Sequence, residues 1–219
     1  MKQFAIIGLG RFGSSIAKTL YQMGHDVLAI DNDPEEVQEI SDYVTHAVQA
    51  DATDEVTLNT LGIRNFDVAV ITIGTDIQSS ILITLLCKEM GVKYVLAKAQ
   101  NELHAKVLYR IGADKVVFPE RDMGSRVAHN LVSSNILDYI ELAPDYSLVE
   151  IVPNPEWEGK NLRQLNIRAK FGVNVIAIKR EDGKVNVAPQ AEDVVQNNDI
   201  LVVIGNNDDI KRIEEKVHL

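Results

Sequence analysis

The chain has 219 residues, 46% hydrophobic and 25% charged, an ordinary globular composition that excludes wholesale disorder. With 22 basic and 32 acidic residues it carries a net charge of −10, and both halves are acidic, so no nucleic-acid partner is expected. One cysteine, Cys87, excludes a disulfide framework, a cysteine zinc site and a CxxC redox motif.

Residues 1–134 alternate short apolar runs with longer helical patterns. The runs at 4–9, 27–30, 47–50, 68–73, 94–97 and 116–118 are mostly continuous rather than alternating. That pattern marks strands buried on both faces, as in a parallel sheet covered by helices. Helices are expected at 12–23, ending at Gly24, and at 34–43, where Pro34 follows Asp33. Two more are expected at 76–90 and 101–111, each stopped by a glycine. Strand and helix in alternation predict a Rossmann-like, doubly wound parallel sheet of the α/β class over 1–134. A further helix is expected at 123–134.

Residues 135–144 read as a connector whose Ile136, Leu137, Tyr139, Ile140 and Leu142 pack on something, such as another subunit. From 145 to 219 the pattern becomes that of a small C-terminal α+β domain. Strands are expected at 148–152, 173–178, 185–187 and 200–204, with helical patterns at 160–171 and 208–217. Glu181-Asp182-Gly183-Lys184 is a hairpin turn. The opening residues have no signal-peptide pattern, and no run approaches the roughly 18 apolar residues of a membrane span. The expected location is cytoplasmic.

Gly8-Leu9-Gly10-Arg11-Phe12-Gly13 is GxGxxG between a predicted strand and helix, with Asp31 ending the next strand. The first glycine permits the tight turn, the second admits a pyrophosphate to the backbone, and the third lets helix and strand pack. The helix N-terminus offers N–H groups and a positive dipole to phosphates. Asp31 is expected to accept from a ribose diol and to disfavour a 2′-phosphate. The alternative is that Asp31 caps the following helix, a task for which Asp33 is better placed. Arg11 lies inside the loop, where a guanidinium suits a terminal phosphate; the alternative is an exposed arginine without a ligand.

Other polar residues stand where strands end, the ligand-binding edge of open α/β sheets: Asp51, Thr75, Lys98, Gln100 and Glu120. His104 follows one turn into a helix, either structural or in contact with ligand. Glu120 fits beside phosphates if a cation intervenes; otherwise it pairs with Arg121 or Arg126. No GxSxG, HExxH or P-loop is present. No histidine lies between residues 146 and 217 to serve a nicotinamide enzyme as acid or base. The chain reads as a nucleotide binder, not an enzyme. The alternatives are a small NAD-dependent oxidoreductase and a nucleotide-dependent module for another membrane partner, a Trk-type transporter or an antiporter.

GLGRFG, Asp31-Asn32-Asp33, His46-Ala47-Val48, the segment from Leu61 to Phe66, Lys98-Ala99-Gln100-Asn101 and the segment from Pro119 to Gly124 together resemble RCK proteins, regulators of potassium conductance. Within them the match is to the KtrA-type subunits of bacterial Ktr uptake systems. The segments 165–172 and 199–205 resemble the RCK C-terminal domain, so the likeness spans essentially the whole chain. It implies ATP or ADP as ligand, with NAD(H) weaker, and a homodimer that assembles into an octameric ring. That ring would lie at the inner face of the membrane, peripheral to a Ktr-type potassium transporter subunit.

By the resemblance, Gly8, Gly10, Phe12 and Gly13 form the loop and Arg11 senses the γ-phosphate. Asp31, Asn32 and Asp33 lie at the ribose, and Asp51 and Ala52 on the adenine side. Ile73, Gly74, Thr75, Lys98, Ala99, Gln100 and His104 line the rest, and Glu120 helps hold a cation (Mg, Ca or Na) between the two nucleotides of a dimer. Cyclic di-AMP in relatives implies a second-messenger site at Ile167, Arg168, Asn174, Ile176 and Pro189.

Overall fold

The structure is a computed structural model that describes residues 1–74, 76–132 and 136–217. Six short strands, β1 (Gln3–Ile7), β2 (Asp26–Asp31), β3 (His46–Gln49), β4 (Val68–Ile71), β5 (Tyr94–Lys98) and β6 (Lys115–Val117), form one sheet. All pair in parallel, in the order β3-β2-β1-β4-β5-β6. Helices α1 (Arg11–Gln22), α2 (Pro34–Ile40), α3 (Glu55–Thr60), α4 (Ile77–Glu89) and α5 (Glu102–Arg110) connect them, and α6 (Pro119–Val132) follows the last strand.

Continuous apolar strands serve two cores at once. Ala5, Ile7, Leu28, Ile30, Ala69 and Ile71 enter one buried cluster, while Ile6, Val27, Ala29 and Val70 from the same strands enter another. The pleat sends successive side chains to opposite faces. Ile6, fully buried, contributes about 1.5–3 kcal/mol by its removal from water. The order reverses between β1 and β4, whose carboxyl ends open the crevice where such sheets bind ligands.

A second, antiparallel sheet contains β7 (Ile136–Ala143), β8 (Tyr146–Ile151), β9 (Asn174–Lys179), β10 (Val185–Asn186) and β11 (Ile200–Asn206), ordered β10-β9-β11-β8-β7. Val149, Ile151, Ile178, Leu201 and Val203 turn inward against Ile210 and Ile213 of α9 (Asn207–Val217). Arg180 donates to buried Asp199 at 2.5 Å, tying the end of β9 to the start of β11.

The fold class matches the expectation, with four local differences. α3 escaped the reading: six residues are too few for periodicity, although Asp54 caps them by accepting from Val56 and Thr57. The expected connector is instead strand β7. Its register shifts twice against β8, which broke the alternation that marks a strand. The helical pattern at 160–171 divides into α7 (Leu162–Leu165) and α8 (Ile167–Phe171), because Asn166 adopts φ of 49°. α6 begins at Pro119, so Glu120 stands in its first turn rather than at a strand end. The chain divides into compact units Met1–Glu120 and Arg121–Leu219. Ser133, Ser134 and Asn135, within the expected helix and connector, lie outside the described residues.

Candidate functional site

The glycine loop is held by contacts that admit no side chain. A Cβ on Gly13 would stand 1.9 Å from Gly8 O and 2.6 Å from Thr72 Oγ1. Gly8, at φ of 98°, donates its N–H to Ile30 O at 2.9 Å, and a Cβ there would meet Ile73 N at 3.1 Å. Gly10 differs. It is the residue before α1, and nothing lies within 4 Å of a Cβ built on it.

Helix α1 has no side-chain cap and no acidic residue in its first turn. By contrast α2, α4 and α5 are capped by Asp33, Asp76 and Asn101. The first N–H groups of α1 therefore have no side-chain acceptor, and together with the dipole they favour an anion. Arg11, exposed, begins this helix and Phe12 is half-buried behind it.

Asp31 does more than the sequence assigned to it. Its Oδ2 accepts from Leu9 N at 2.6 Å and its Oδ1 from Asp33 N at 3.0 Å. The carboxylate ties the tip of β2 to the glycine loop, and each oxygen keeps a lone pair for a diol. Asp33 caps α2 by accepting from Glu35 N, and Asn32 is exposed beside it. One strand further, Asp51 accepts from Thr53 N at 2.9 Å and Thr53 Oγ1 at 2.7 Å, next to buried Ala52.

On the other side of the crevice, Ile73 and Gly74 follow β4 and are half-buried; Thr75 lies outside the described residues. Lys98, with its side chain 13% exposed, pairs with Glu120. This corrects the sequence alternative, in which Glu120 paired with Arg121 or Arg126; Arg126 instead pairs with Asp138. The Lys98 hydrogen bond, then that of its own backbone N–H and the charges of Lys98 and Arg11, hold the Glu120 carboxyl below the usual range.

His104 is 2% exposed and belongs to the wall rather than the open surface. Its Nδ1 accepts from Gln100 N at 3.3 Å, while its own N–H donates to Asn101 Oδ1 at 2.9 Å. Burial lowers its pKa and so favours the neutral ring. It fixes the turn Lys98-Ala99-Gln100, where Ala99 is buried and Gln100 exposed. Among the described residues no group of three or more His, Cys, Asp or Glu could hold a metal. A cation at Glu120 needs ligands from elsewhere.

Thr72 was not read from the sequence. It is 9% exposed, and its Oγ1 lies 2.6 Å from Gly8 O and 3.2 Å from Ile7 O. A hydroxyl ending the apolar run Val68–Ile71 was its signal. The second-messenger positions are scattered in character. Arg168, Asn174 and Ile176 are exposed and Pro189 half-buried, whereas Ile167 is 3% exposed and sits in the core of the second unit.

Residues 4–119 match the TrkA-N domain family and residues 146–218 the TrkA-C domain family. Among curated proteins, the chain is 54% identical to Ktr system potassium uptake protein C of Bacillus subtilis, over 99% of this chain and 97% of that one. It is 47% identical to Ktr system potassium uptake protein A of the same organism, over 98% and 96%. Among solved structures, the GsuK channel bound to NAD superposes with a TM-score of 0.67 at 17% identity, covering 99% of this chain and 39% of that one. At that identity the likeness establishes the fold. The chain belongs to the KtrA-type RCK family, the regulatory subunits of Ktr potassium uptake, with a nucleotide-binding TrkA-N domain and a TrkA-C domain.

Proposed function

We propose that this subunit senses ATP against ADP and gates a Ktr-type potassium transporter subunit in the membrane. The observation that carries the reading is the uncapped N-terminus of α1 with Arg11 as its first residue, whose charge, like that of Lys98, is felt at the Glu120 carboxyl. Two cations and a helix dipole suit a polyphosphate end better than a nicotinamide half. Asp31 takes the ribose, and Asp51 with Ala52 borders the base.

NAD(H) is the weaker ligand in this reading. The GsuK neighbour binds NAD, so the fold can hold a dinucleotide. A cation (Mg, Ca or Na) at Glu120 would complete its shell with phosphates and a second chain, in a homodimer that builds an octameric ring. The ring would sit in the cytoplasm, peripheral to the membrane; no helix among the described residues is long and apolar enough to cross one. Cyclic di-AMP at Arg168, Asn174, Ile176 and Pro189 is a second input, with Ile167 contributing backbone rather than side chain. The chain catalyses nothing in this reading.

Calorimetric titration of the purified chain tests it. ATP and ADP should bind more tightly than NADH, and Arg11→Ala should weaken ATP more than ADP. Tighter binding of NADH than of either adenine nucleotide would overturn the reading.

A further inference from the structure

Lys98 closes β5 with its stem packed and its ammonium on Glu120, a carboxylate whose own side chain is 70% exposed. A Cβ on Gly74 would stand 3.2 Å from Lys98 Nζ, so the same ammonium rests against the loop after β4. That loop touches the glycine loop, since a Cβ on Gly8 would lie 3.2 Å from the Ile73 side chain. Lys98 thus lies between the phosphate crevice and Glu120. Glu120 is the last residue of the first unit and stands in the first turn of α6, which runs on to Val132 in the second.

We propose that the Lys98–Glu120 ion pair is a phosphate-released latch on α6: a phosphate entering the crevice takes Lys98 over, and Glu120 lets go of β5. This rests on the nucleotide reading above. The direction follows from the two competitors. A pair with so exposed a carboxylate is weak. A charge-assisted contact to a phosphate, at a helix N-terminus, is stronger. The lysine has three donors and a packed stem, so it can turn toward the phosphate without leaving the crevice. Glu120 then faces an anion of its own sign without its partner. Being in water already, it moves away at little cost or takes a metal cation. Nucleotide occupancy is thereby felt at the root of the helix that joins the two units, and adenosine, lacking phosphate, leaves the latch shut.

Glu120→Gln opens the latch without changing the size of the side chain. Titrated with ATP in EDTA and sodium-free buffer, where no metal bridges carboxylate and phosphate, it should bind three- to tenfold more tightly than wild type. Hydrogen exchange of the α6 amides from Met123 to Val127 gives a second readout. ATP, and not adenosine, should speed their exchange severalfold in wild type. In Glu120→Gln they should exchange fast with or without ATP. Equal or weaker ATP binding by the variant, or a wild-type exchange response in it, overturns the latch alone. Wild-type protein that binds no ATP overturns the nucleotide reading and the latch together.

Discussion

Gly10 and Gly13 are both glycines of one loop, yet substituting each should fail in a different assay. Gly13→Ala puts a carbon 1.9 Å from Gly8 O, a backbone atom, and 2.6 Å from Thr72 Oγ1. The loop must move by more than an ångström. Overpacking costs about 1–3 kcal/mol, and a backbone obstacle places this case near 3. For a chain of this length that lowers Tm by roughly 6–12 °C. Gly10→Ala meets nothing within 4 Å, and φ of −60° suits any residue. Its structural cost is that of a poorer cap, about 1 kcal/mol or less, so Tm falls by no more than about 4 °C. Its methyl nevertheless would occupy open space at the residue that opens α1. Losing one charged hydrogen bond between backbone and phosphate costs about 1.5–3 kcal/mol, a ten- to hundredfold rise in Kd for ATP. Differential scanning calorimetry and isothermal titration on both variants separate the two effects. A Gly10→Ala protein that binds ATP like wild type would refute the claim that this space belongs to phosphate. A Gly13→Ala protein that melts within about 2 °C of wild type would refute the packing argument.

Other consequences are simpler. Arg11→Ala should weaken ATP roughly ten- to hundredfold and ADP less, by titration of both; equal losses would make Arg11 a general anchor. Asp31→Ala should weaken ATP, ADP and NADH by similar factors, and should also lower Tm because Leu9 N loses its acceptor. Asp199→Ala strands Arg180, one partner of a largely buried pair, and should destabilise the second unit by about 3 kcal/mol in chemical denaturation. The Arg126 hydrogen bond, with that of Tyr139 N–H and the charges of Arg126 and Lys179, holds the Asp138 carboxyl low despite partial burial. A depressed carboxylate stabilises the fold above its unfolded pKa, about 3.9, and that contribution is lost as pH falls through the lower folded value. Asp138→Asn should flatten the acid limb of a Tm-against-pH profile below about pH 4; an unchanged limb would show that other carboxylates set it.

What the sequence disclosed divides along physical lines. The parallel sheet was legible because buried strands such as Val68–Ile71 carry no polar residue to interrupt the run. β7 was not, because its register shifts place Leu137, Ile140 and Leu142, each 42–53% exposed, out of step with a plain alternation. At the loop, the tight places Gly8 and Gly13 were readable because a GxGxxG between strand and helix asks for close backbone approach there. Thr72 was not, because its role depends on a partner 64 residues away. The Lys98–Glu120 pair joins residues 22 apart through two strands of the sheet, so the sequence offered Glu120 only its near neighbours Arg121 and Arg126. His104 was left open between structure and ligand contact; its burial and its bond from Gln100 place it in the wall that shapes the turn.

Potassium flux through proteoliposomes holding the partner transporter, with this chain added and either ATP or ADP at saturation, tests the central claim most directly. The account predicts different fluxes with the two nucleotides, and a difference that Arg11→Ala abolishes. Equal fluxes with ATP and ADP, from a wild-type chain shown to bind both, would contradict it.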